Sequence, residues 1–136
     1  MPSMKIFDIA GSAMAAQSVR LNTVASNLAN AGNVTGDPQA VYKPVEPVFS
    51  SQVLDATQPG LAGVRVNRIE QSESEPLKRY EPGNPLADAQ GYVYAPDIDP
   101  VAQMVNMISA ARAYQADVEM LNTGRELALA TLNLGR

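Results

Sequence analysis

Apolar and small residues recur at alternating spacings of three and four at both ends of this chain, and no other feature limits its fold so closely. Near the N-terminus the series is Phe7, Ala10, Met14, Gln17, Leu21, Val24, Leu28 and Ala31. Near the C-terminus it is Val101, Met104, Ile108, Ala111, Gln115 and Val118, drifting to Leu121, Ala128 and Leu132. That period belongs to an α-helix burying one stripe, and kept up over several heptads it belongs to helices that pack along their length. A strand alternates its faces every second residue and cannot present it.

The ends of these helices are written into the sequence as well. Asp99 can accept from the first free N–H groups, and Pro100 suits the first helical position, where its missing N–H costs nothing. From there to Gly135 no further proline occurs, so the C-terminal helix should run about 50 Å at 1.5 Å per residue. Gly32 and Asn33 mark a stop for the first helix. Gly11 and Gly124 weaken the two helices by about 1 kcal/mol each relative to alanine.

Between the helices the composition changes. Residues 6–31 carry only Asp8 and Arg20 as charges, whereas residues 32–99 hold 15 of the 24 charges and every proline except Pro2 and Pro100. Prolines at that density confine strands to edges and bulges. Val64, Val66 and Ile69 predict one strand, with a bulge at Asn67-Arg68, and Leu77 to Tyr80 is its expected partner. Tyr92 to Tyr94 predicts a third. Tyr42 to Phe49 is interrupted by Pro44 and Pro47. The stretch EPGNPLAD, residues 81–88, reads as a compact turn through its Pro-Gly and Asn-Pro pairs. The expected class is α+β: two long terminal helices and a small, irregular, β-rich middle, divided as residues 1–34, 35–98 and 99–136.

Chemistry is sparse. The 136 residues include no cysteine and no histidine. Disulfides and thiolate metal sites are therefore excluded, as are the commonest general base and metal ligand. A net charge of −4 without a basic patch argues against nucleic-acid binding. The N-terminal segment reads as a poor secretory signal, and no run approaches the roughly 20 apolar residues of a membrane span. Phosphate-loop, nucleophile-elbow and HExxH motifs are missing. Glu70, Glu73 and Glu75 fit a solvated turn better than an acid pair, and Asp97 and Asp99 lack the rest of a calcium loop. Asn33-Val34-Thr35 matches a glycosylation sequon too short to carry weight. Tyr80, Tyr92 and Tyr94 suit strand packing. No catalytic, cofactor-binding or metal site is expected.

The informative segment is LNTVASNLANAGNVTG, residues 21–36, in which no side chain is charged. A two-helix hairpin packed on its own β region would carry charges on its outer faces. Here Ser12, Ala13, Ala15, Ala16, Ser18, Thr23, Ala25, Ser26 and Ala29 make those faces small and neutral. The end of the second helix, Leu127 to Leu134, is apolar nearly all round. Both point to burial in an assembly. Amides at inward positions, Gln17 and Gln115 among them, would fix register, because an unpaired buried amide is costly.

NTVASNLANAGNVTG resembles the N-terminal signature of the bacterial flagellar axial proteins of rod and hook, and ARAYQADVEMLNTGRELALATLNLG resembles their C-terminal helix. FDIAGSAMAAQSVRLN (residues 7–22) and YEPGNPLADAQGYVYAPDIDP (80–100) are similar to proximal rod members. The resemblance implies a structural subunit of the basal-body rod, exported without signal cleavage and polymerised in the periplasm. It implies a coiled-coil-like inner tube of terminal helices with the middle segment outside, forming a drive shaft around an export channel. Implied partners are further copies of the chain, other rod proteins, the FliE-type adaptor and surrounding ring components, with no nucleic acid and no membrane span. The expected assembly interface is Phe7, Met14, Gln17, Leu21, Val24, Asn27, Leu28 and Asn30 on the first helix. On the second it is Met104, Ile108, Gln115, Val118, Leu121, Leu129 and Leu132. A competing reading is a small soluble export chaperone or adaptor whose apolar helices hold a client. The neutral helix faces favour the subunit.

Overall fold

The computed structural model describes residues 2–57 and 60–135. Helix α1 spans Pro2–Asn30, strands β1 to β4 span Val45–Val53, Ala62–Gln71, Leu77–Tyr80 and Tyr92–Ala95, and helix α2 spans Pro100–Leu134. A single 3-10 turn, Pro38–Ala40, lies between α1 and β1, capped by Asp37. The class is α+β, as the periodicity predicts.

Helix α2 begins as its sequence dictates. The Asp99 carboxylate accepts from the N–H groups of Val101 and Ala102 at 2.9 and 3.3 Å, with Pro100 in the first turn. Gly135 terminates it. Helix α1 ends on its own amides: Asn30 donates to the Ser26 carbonyl at 2.8 Å, and Asn33 donates to the Asn30 side chain at 2.9 Å. Orphan groups at a helix end need such partners.

The middle segment forms two antiparallel hairpins rather than one continuous sheet. Here the structure corrects the expected pairing. Strand β2 pairs with β1, not with Leu77–Tyr80, and Leu77–Tyr80 pairs with Tyr92–Ala95. Pro47 does not break β1; it sits opposite Ile69 inside a nine-residue strand. A two-stranded ribbon has a free edge on each side, so a proline N without hydrogen is tolerated there. The bulge falls where expected: Val48 faces Arg68 and Phe49 faces Val66, leaving Asn67 over.

After α1 the chain returns to the second hairpin, where Thr35 and Tyr94 exchange backbone bonds of 3.0 and 2.7 Å. The turn at 81–88 is compact, with Asn84 donating to the Glu81 carbonyl and Ala87 to the Asn84 carbonyl. Gly36 crosses it so closely that a Cβ would lie 2.6 Å from the Leu86 carbonyl oxygen. Tyr80 and Tyr92 pack at 5.1 Å between ring centroids, with the Lys78 ammonium 4.0 Å from the Tyr92 ring.

The two helices run antiparallel: Gly124 meets Ile6 and Phe7, and Asn106 accepts from Arg20. The core they share with the hairpins is thin. Ala10, Ala16, Val24, Val41, Val93, Ala95, Ile98 and Ala110 are its buried apolar side chains, and Val93 and Asn27 are the largest that are fully enclosed. Seven of these eight have no more bulk than valine, and the three alanines Ala10, Ala16 and Ala110 lie on the helices, so burial within one chain is modest.

A candidate assembly surface on two helices

Helix α2 carries two stripes of the same spacing. One faces α1: Gln103, Met107, Ala110, Tyr114, Asp117, Leu121, Gly124 and Ala128 are all buried or half-buried and follow one another at four and three. This stripe mixes small and polar residues with Met107, Tyr114 and Leu121. A Cβ on Gly124 would come within 3.1 Å of Ile6 Cγ2, so the missing side chain is what lets the helices approach there.

The stripe read from the sequence divides: Val101, Met104, Ile108, Gln115 and Leu132 are exposed, while Ala111, Val118, Leu121 and Ala128 are half-buried. Val101, Met104, Val105 and Ile108 are half or more exposed, and so are Leu127, Leu129, Leu132 and Leu134. Gln115 is exposed, which corrects its expected inward position. The reason is packing shape. From α1, Ile6 and Phe7 meet Gly124, Arg20 meets Asn106 and Asn27 meets Gln103, and these side chains fill the space that small α2 positions leave. Of the other α2 positions singled out, Val118 and Leu121 are half-buried, Leu121 within the contact with α1. On α1, Val24 and Asn27 are buried, while Phe7, Met14, Gln17, Leu21, Leu28 and Asn30 are half-buried. The Gln17 side-chain oxygen is enclosed without a hydrogen-bond donor.

The first hairpin lies along α1 through polar contacts. Near the tip, Lys5 pairs with Asp55. The Lys5 ammonium, then the hydroxyl and N–H of Thr57, hold the Asp55 carboxyl far below the usual range. Midway, the Ser12 hydroxyl accepts from Val64 N–H at 3.1 Å and donates to the Ile9 carbonyl at 2.8 Å. Gly63 is buried against Ser12; a Cβ there would sit 2.6 Å from the Ser12 oxygen. At the base stands Asn27. Its side-chain oxygen accepts from Val45 N–H at 2.9 Å and from the Tyr42 hydroxyl at 3.0 Å. Its amide nitrogen donates to the Val45 carbonyl at 2.9 Å and reaches Gln103 Oε1 at 3.5 Å. Asn27 is expected on the assembly interface, and nothing in the periodicity signals this contact; an uncharged amide among alanines is the available signal.

In the second hairpin, Asp88 closes the turn. Its carboxylate accepts from Tyr92 N–H and Gln90 N–H, both at 2.9 Å, and faces the Tyr94 hydroxyl. The Tyr92 bond foremost, with Gln90, Tyr94 and Lys78, depresses its pKa. Among the described residues no group of three acidic side chains is placed to hold a metal ion, and no helix is long and apolar enough to cross a membrane.

With long helices at the two termini, a short β-rich middle and exposed apolar positions on α2, the chain is similar in sequence to flagellar axial proteins. Residues 7–36 match the family described as flagella basal body rod protein, and residues 89–134 match the C-terminal family of flagellar basal body rod FlgEFG proteins. Full-length relatives narrow the class. The chain is 52% identical over 136 residues, covering all of both chains, to flagellar basal-body rod protein FlgC of Salmonella typhimurium. It is 38% identical to FlgC of Buchnera aphidicola from Acyrthosiphon pisum over 98% of each chain, and 41% identical to FlgC of Aquifex aeolicus over 88% of this chain and 87% of that one. The chain belongs to the FlgC family of flagellar basal-body rod proteins, a structural family and not an enzyme family, whose place is the basal-body rod. The chaperone reading has no counterpart among these relatives.

Proposed function

We propose that the chain is a building block of the proximal rod, stacking with further copies and with other rod proteins into the tube that carries torque and surrounds the export channel. The observation that carries this is the outward stripe of α2. Val101, Met104, Val105 and Ile108 at one end and Leu127, Leu129, Leu132 and Leu134 at the other stand half or more exposed in the single chain. Apolar patches left exposed at both ends of one helix mark contact surfaces.

In this reading the interface comprises Phe7, Met14, Gln17, Leu21, Val24, Asn27, Leu28 and Asn30 of α1 with Met104, Ile108, Gln115, Val118, Leu121, Leu129 and Leu132 of α2. Residues 1–34 and 99–136 form the coiled-coil-like inner part, and residues 35–98 the outer one. Helix α2 lies nearest the axis, α1 outside it and the hairpins outermost. Asn106 is taken up by Arg20 of α1, and the exposed Arg112, Gln115, Asn122 and Arg125 supply polar, weakly charged positions on the longer helix, suited to a channel that passes unfolded chains of any composition. Export runs through the flagellar type III apparatus, the rod stands in the periplasm, and the FliE-type adaptor and ring components are its neighbours. A density map of the assembled rod tests the arrangement. Terminal helices lining the channel are expected; hairpins facing the channel would overturn it.

A further inference from the structure

We infer that Asn27 is a docking residue that fixes where along α1 the outer segment attaches, by reading the backbone of one residue, Val45, as a neighbouring strand would. Asn27 is 1% exposed. Its amide gives Val45 both halves of a strand-type pairing: oxygen to N–H at 2.9 Å and nitrogen to carbonyl at 2.9 Å. Along a strand, N–H and C=O of one residue point to the same edge and those of the next to the opposite edge. Pro44 and Glu46 therefore turn their groups the other way, and the Pro44 carbonyl accordingly accepts from Ser72 at 2.7 Å. Two residues on, the same edge presents Pro47, which has no N–H. Pro47 thus offers no donor to an amide shifted two residues toward the C-terminus, and the residues one step from Val45 turn their groups away. Tyr42 adds a second check, since its hydroxyl also meets Asn27 and lies 3.0 Å from the Ser26 hydroxyl. A one-residue slip in either direction would leave the buried amide without these partners, which is costly. The amide also reaches Gln103 of α2, but at 3.5 Å, so its short bonds are those to the ribbon.

The absence of cysteine allows a test within the full-length chain, independent of assembly and so of the proposed function. A Cβ on Gly63 would lie 3.3 Å from Ser12 Cβ, and one on Gly124 would lie 3.9 Å from Ile6 Cβ. Both are near the separation a disulfide requires, roughly 3.5 to 4.5 Å. The pair Ser12→Cys with Gly63→Cys reports ribbon on helix; the pair Ile6→Cys with Gly124→Cys reports helix on helix. Oxidation rates of each pair are compared with Asn27 intact and with Asn27→Leu, which keeps bulk and removes every hydrogen bond. The ribbon pair should close about ten- to a hundredfold more slowly, with the helix pair within about twofold of its parent. Unchanged closure of the ribbon pair overturns the inference, and so does an equal loss in both pairs. Asn27→Asp, which keeps the acceptor and shape but sets a carboxylate against the Val45 carbonyl, must give the same selective loss. If it closes the ribbon pair at the parent rate, the donor half of the pairing is not used for docking and the inference fails.

Discussion

Asp117 stands seven residues from Ala110 and seven from Gly124, both buried, and so lies in the stripe that α2 turns toward α1. Burial raises its pKa. A carboxyl whose folded pKa is raised opposes folding once ionised: the burden is absent below the ordinary value of 3.8 and complete above the folded value. Asp117→Asn should therefore raise the thermal midpoint at neutral pH, with the gain vanishing in acid; calorimetry across pH reads it. Asp88 has the opposite sign. Its pKa is lowered, so its contribution is present above 3.8 and lost as pH falls through the folded value. Asp88→Asn should loosen the Tyr92–Ala95 hairpin at pH 7, and the difference from the parent should close as the pH drops below 3.8. Exchange rates of the Gln90 and Tyr92 amides across that range measure it.

At the scale of an element, α2 separates folding from assembly on two faces. Gly124→Leu drives a side chain into Ile6 and Phe7 and should destabilise the single chain by about 1–3 kcal/mol, read by urea denaturation. Ile108→Asp, on the exposed face, should leave that stability within about 0.5 kcal/mol while abolishing swimming at parental protein levels. Leu28→Asp should likewise stop assembly, and Glu73→Ala, in an exposed connection, should swim normally. Periodicity found the exposed Val101, Met104, Ile108 and Leu132 together with Leu121 and Ala128 of the inward stripe, because apolar residues at three and four announce themselves. It missed Gln103, Ala110, Asp117 and Gly124, which interrupt the hydrophobic signal and are recognised only against α1.

On the scale of the molecule, the antiparallel offset places Gly124 beside Ile6, so the last turns of α2 run past the start of α1. Thr131, Leu132, Asn133 and Leu134 are exposed. Segments with few buried contacts open first. In the isolated chain the amides of residues 129–134 should exchange fastest within α2, and those of residues 106–121 more slowly. Assembly should protect both. Strong protection of the terminal turns in the dilute monomer would mean that their apolar surface needs no neighbour.

The sequence by itself determined what is local. Asp99 and Pro100 start α2, Gly135 stops it, the Asn30 and Asn33 amides finish α1, and Pro-Gly and Asn-Pro shape residues 81–88, each through groups a few residues apart. The family, too, was legible, since its signatures lie in contiguous runs. Only the tertiary structure decided how distant pieces choose partners. Strand β2 could serve β1 or β3 by composition and pairs with β1, where Lys5, Ser12 and Asn27 of α1 hold the ribbon along its length. Two α2 stripes share one spacing, and the smaller faces α1 because Gly124 and Ala110 permit close approach. Such choices depend on shape and on buried hydrogen bonds between residues far apart in the chain, which no short window of sequence contains.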